Sequence, residues 1–175
     1  MKFQITFSAL LYTLLQIQSA LANRGYDVLN AVYQKAHPGQ NMAANQRYVF
    51  VEKYQGGSTD MEQCVAGYTH VAVVVGSVIH TGHDQHFFQG TMYHLTTQGD
   101  RIFNYGDPIE IPMVPDWSPR TYRVATVTLY KGTTTAEDST IKNLRDQYLR
   151  EHAKYSLRSN NCNSFAEWMT SKIVS

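Results

Sequence analysis

Tyr68-Thr69-His70-Val71-Ala72-Val73-Val74-Val75-Gly76 decides the architecture. From Thr69 to Val75 it is dominated by valine, whose branched side chain packs well on a pleated surface. The run is long and apolar enough for a central strand. Arg47 to Tyr54 reads as another strand, ended by Gly56-Gly57. Thr91 to Thr97 and Arg101 to Tyr105 look like a hairpin turning at Gln98-Gly99-Asp100. Ser77 to Gly90 is polar and carries glycine, so it reads as an insertion between strands. Asp107 to Pro119 holds Pro108, Pro112, Pro115 and Pro119, which predicts an extended surface loop. Thr121 to Tyr130 alternates in the manner of a strand.

Helical periods flank these strands. Asp27 to Ala36 places Val28, Leu29, Val32 and Tyr33 at helical spacing, and His37-Pro38-Gly39 stops it. Thr135-x-x-Asp138 resembles a helix cap with an acid in the first turn. Ile141, Leu144, Tyr148 and Leu149 then share one face. A connection through 156–161 leads to a last helix, with Cys162, Phe165, Trp168, Met169 and Ile173 along its apolar stripe. The expected fold class is α+β, an antiparallel sheet packed against helices.

Residues 1–22 read as a secretory signal: Lys2, an apolar run from Phe3 to Leu15, then Ala20-Leu21-Ala22. Residues 23–175 form the expected single domain, which holds no apolar stretch of the ~20 residues a membrane span needs. Cleavage removes Lys2 and leaves fourteen basic against fourteen acidic residues. A neutral chain without a basic cluster argues against nucleic acid as a partner. The chain has no Asn-x-Ser/Thr sequon. Its two cysteines, Cys64 and Cys162, would ordinarily pair in an exported protein, although a domain of this size does not need stapling.

Cys162 sits at the start of the last helix, where the helix dipole favours thiolate, the nucleophilic form. A cysteine nucleophile needs a base within reach, and the base needs a partner to orient it. His70 is the candidate base, on a stiff strand; the competing role is a core histidine bonded to a backbone carbonyl. His94, in Tyr93-His94-Leu95, is the preferred orienting residue, and His80 would serve if the chain turned at Gly76-Ser77. The Cys162 N–H, with Asn161 or Asn163, offers donors for an oxyanion, although asparagine there also caps helices.

Asn161-Cys162-Asn163-Ser164-Phe165 resembles the Asn-Cys-x-x-Phe box of the circularly permuted papain-like thiol enzymes. The lecithin retinol acyltransferase-like proteins carry Asn-Cys-Glu-His-Phe there, and the PPPDE isopeptidases Asn-Cys-Asn-x-Phe. Tyr68-Thr69-His70 with its apolar tail and Gly76 is similar to the acyltransferase pattern, as is Gly90-Thr91-Met92-Tyr93-His94-Leu95. Val71 stands where that group has an aromatic residue. The resemblance implies a permuted papain-like fold and a secreted cysteine hydrolase or acyltransferase. Such an enzyme acts on a peptide, amide or ester through a Cys162 thioester, and it requires no cofactor. The alternative is a secreted effector or toxin that binds a partner without catalysis, with Cys162 bonded to Cys64. His80-Thr81-Gly82-His83-Asp84-Gln85-His86 offers imidazoles and a carboxylate, but its spacing matches no strong zinc pattern, and a solvated loop is expected.

Overall fold

The computed structural model describes residues 25–54, 70–81, 85–97, 106–119, 127–156 and 158–175. The expected signal segment, Cys64 and the expected strand Arg101 to Tyr105 lie outside them. In chain order the elements are helix α1 (25–36), strands β1 (Arg47–Tyr54), β2 (His70–Thr81), β3 (Gln85–His94), β4 (Thr96–Thr97), β5 (Ile109–Glu110), β6 (Met113–Val114) and β7 (Val127–Thr134), then helices α2 (Asp138–Glu151) and α3 (Cys162–Ile173). The class is α+β. Five strands form one sheet in the order β6-β3-β2-β1-β7, and β4 pairs with β5 in a second. Every pairing between these strands is antiparallel. No helix among the described residues is long and apolar enough to cross a membrane.

β2 lies at the centre because both of its faces are apolar. Successive side chains of a strand point to opposite faces. Val71, Val73 and Val75 join Val49, Val51 and Tyr93 in a core shared with Ile141 and Tyr148 of α2 and Phe165, Met169 and Ile173 of α3. Ala72, Val74 and Val78 join Phe50, Tyr54, Phe88 and Met92 on the other side, with Leu29 of α1 and Trp117. Helices α2 and α3 therefore cover one face, and α1 with the Trp117 segment covers the other. The apolar stripes read for α2 and α3 are the ones buried.

Three expectations need correction. Ser77 to Gly90 is not an inserted loop. β2 continues to Thr81 and β3 returns from Gln85, pairing residue for residue from Thr81↔Gln85 to Ala72↔His94. Glycine is the reason a polar stretch can do this. Gly76 lies opposite Gly90, and a Cβ on Gly76 would come within 2.7 Å of the Phe88 ring. The ring occupies space that two side chains would otherwise fill. The Asp107 to Pro119 segment is extended, but it is not merely superficial: Ile109, Ile111 and Trp117 are buried, and it supplies β5 and β6. Its prolines stand beside the short strands, where a missing N–H costs no ladder bond. Finally, α2 is capped by Glu137 and not Thr135, with no side-chain cap bond; Thr134 Oγ1 instead accepts from the Ala136 N–H.

Candidate active site

The start of α3 is fixed before the helix begins. Ser156 and Asn160 exchange backbone hydrogen bonds, closing a tight turn. Asn160 donates its amide to the carbonyls of His152 and Lys154 and accepts from the Tyr148 hydroxyl at 2.7 Å. Asn161 is the N-cap, its Oδ1 accepting from the N–H groups of Asn163 and Ser164. Ser164 Oγ accepts from the Asn161 N–H, completing a capping box. Cys162 is thus the first residue of a twelve-residue helix whose entry angle is held on both sides.

The Cys162 sulfur lies 3.4 Å from His70 Nδ1 and 4.0 Å from the Leu95 carbonyl oxygen. On the far side of the same ring, His70 Nε2 lies 3.1 Å from His94 Nδ1. The three side chains form one relay, each residue only 6% exposed. Strand register accounts for the second contact. His94 pairs with Ala72, so His70, two residues earlier, is its diagonal neighbour on the same sheet face. The small Ala72 leaves room for the imidazoles to meet edge to face, with ring centroids 5.0 Å apart.

The donor and acceptor roles depend on the ring tautomers, and one assignment lets the Cys162 proton pass to His70. With Cys162 as a thiol, S–H is directed at His70 Nδ1 and His70 Nε2–H donates to His94 Nδ1. With the proton moved to His70, both imidazolium N–H groups donate, one to sulfur and one to His94. His94 accepts through Nδ1 in both states, so one tautomer of His94 serves throughout.

The remaining candidates fall elsewhere. His80 sits ten residues further along β2, about 33 Å from His70 at the rise of a strand. It is exposed and pairs with His86, because no turn occurs at Gly76-Ser77. Asn161 has its side-chain oxygen committed to capping. Asn163 donates its side-chain amide to Glu167 one turn along the helix, at 2.7 Å.

A neighbouring polar group escaped the sequence reading. Glu52 is 3% exposed and shares the sheet face of His70 and His94, in one row with Ala72 and His94. The Tyr54 hydroxyl and the Trp117 indole N–H both donate to Glu52 Oε2, the latter at 3.0 Å. Burial raises the Glu52 carboxyl above its ordinary range, and the two donors only partly offset this. Tyr54 in turn packs its ring 6.0 Å from that of His70, which it faces directly in the register. The signal for Glu52 was its place in Tyr48-x-Phe50-x-Glu52-x-Tyr54, where period two puts an acid among aromatic core residues.

Set against known protein families, curated proteins and solved structures, the chain matches none.

Proposed function

We propose that the protein is a secreted papain-like thiol enzyme of the circularly permuted type, with Cys162 as nucleophile, His70 as base and His94 as the residue that orients it. The observation that carries this reading is the continuous contact from sulfur to His70 to His94. Two unrelated core histidines and a core cysteine have no reason to line up through both nitrogens of the middle ring.

The chemistry runs as follows. His70 Nδ1 takes the thiol proton, and the sulfur attacks the carbonyl carbon of an amide or ester. The carbonyl electron pair moves to oxygen, where the first N–H of α3 and the positive end of the helix stabilise it. The tetrahedral species collapses, the carbon–nitrogen or carbon–oxygen bond breaks, and His70 returns its proton to the leaving group. Water, activated by His70, then cleaves the thioester and restores the thiol. An amine or alcohol in place of water gives acyl transfer from the same intermediate. Outside the cell water is the abundant acceptor, so hydrolysis is the expected outcome.

The test is the pH profile of iodoacetamide alkylation at Cys162, without reductant. Rapid labelling at mildly acidic pH is expected, with a marked slowing in His70→Ala, since the imidazolium stabilises the thiolate. An unchanged rate in that variant removes His70 from the site. An intact mass lower by two hydrogens, with no labelling, replaces the enzyme with a binding protein stapled through Cys64.

A further inference from the structure

We propose that the far end of the β2–β3 hairpin is a binding site for a divalent late transition ion, Zn²⁺ or Cu²⁺, with His80 and His86 as its two imidazole ligands. These histidines face each other directly in the register, and their Nδ1 atoms lie 3.4 Å apart. That spacing lies at the long end of hydrogen-bond reach. It matches a metal bite. Two nitrogens each about 2.0–2.1 Å from a tetrahedral zinc are separated by roughly 3.3–3.4 Å. The His70–His94 pair, at 3.1 Å, has the shorter spacing of a hydrogen bond.

The pair is also held ready and open to solvent. The His86 ring stacks on Tyr26 of α1, with centroids 5.0 Å apart and planes 25° apart. Tyr26 is itself buried, which fixes the His86 ring before any ion arrives. His80 is exposed, so an ion reaches the pair without rearranging the core. Neutral imidazole suits copper and zinc and not the hard ions magnesium and calcium, which require oxygen. Among the described residues no group of three or more His, Cys, Asp or Glu side chains converges. The described residues therefore contribute two ligands here, and water can complete the shell. By sequence Gly82-His83-Asp84 joins the two strands, but these residues lie outside the described ones and the assignment rests on His80 and His86.

The site stands at the other end of β2 from Cys162 and does not depend on the enzyme reading. Its test uses tag-free protein of residues 23–175 in a Cys64→Ser, Cys162→Ala background, which removes both thiols as competing ligands. Zn²⁺ and Cu²⁺ are titrated separately by calorimetry, and thermal melts are recorded with and without ion. One ion per chain is expected, with a melting temperature that rises with ion concentration. Removing a ligand should cost at least the roughly tenfold that removing an outer partner of a ligand costs. His80→Ala and His86→Ala should therefore each weaken binding by about tenfold or more, while melting like the parent when no ion is present. Affinity unchanged in both variants, or no saturable binding below about 1 mM, overturns the assignment.

Discussion

His70 is engaged through both ring nitrogens, so the residues on its two sides should fail differently. In the proposed enzyme Cys162 is the nucleophile, and its loss removes the reaction outright. On the same reading, loss of His94 leaves the sulfur its base but takes from His70 the neighbour that would orient the ring and accept from Nε2–H. His94→Ala is therefore expected to slow low-pH alkylation of Cys162 less than His70→Ala does. His94→Gln should recover part of that loss, because a glutamine oxygen can accept from His70 Nε2–H where alanine cannot. Alkylation rates from pH 5 to pH 9 for the three variants check this, and equal rates in His94→Ala and His94→Gln would argue that the His70–His94 contact does not orient the base. The contact between Cys162 and His70 could be anticipated because each lies in a locally distinctive setting, a capped helix start and a valine strand. The choice of His94 over His80 was less secure in the sequence, since it depends on where β2 turns, and that depends on a partner strand.

At the level of elements, β1 and α3 were legible for a local reason. Arg47 to Tyr54 carries its own alternation and a glycine stop, and Asn161-x-x-Ser164 carries its own cap. The β2–β3 hairpin was not, because what makes it a strand pair is Phe88 lying over Gly76 and Gly90, a contact across two chain segments. A side chain at Gly76 has no room: its Cβ would lie 2.5 Å from the Gly90 Cα. Gly76→Ala should accordingly destabilise the protein by about 1–3 kcal/mol, the range for overpacking, seen as a lower thermal midpoint. The cap gives a second case. Asn161→Ala strands the N–H groups of Asn163 and Ser164 and should cost about 1 kcal/mol in urea unfolding, whereas Asn161→Asp, an equally good cap, should lose little. If Asn161→Asp falls as far as Asn161→Ala, the amide nitrogen of Asn161 has a role beyond capping. The Trp117 segment was misread because proline content marks loops well but says nothing about what the residues between the prolines bury.

For the molecule as a whole, the sheet separates two cores, and Glu52 is the acid buried within the one beneath α1. It ties β1 to the Trp117 segment through a hydrogen bond, and its burial makes global stability depend on pH. The carboxyl is raised in the folded state, chiefly by desolvation, from an ordinary value of 4.5. A raised acid binds its proton more tightly when folded than when unfolded. Its contribution to stability is therefore fully present below the unfolded value and is lost as pH climbs from there through the folded value. Glu52→Gln removes this titration while keeping an oxygen able to accept from both Tyr54 and Trp117, which share a single acceptor atom in the native protein. The glutamine NH₂ adds a constant cost of its own, so the informative quantity is the change with pH. Urea midpoints for parent and variant at pH 4, 5.5 and 7.5 should show the variant gaining on the parent as pH rises. A difference that stays flat over that range would mean that Glu52 reaches water or a compensating charge in the folded protein, and that the polar node on the face of His70 and His94 is not a desolvated one.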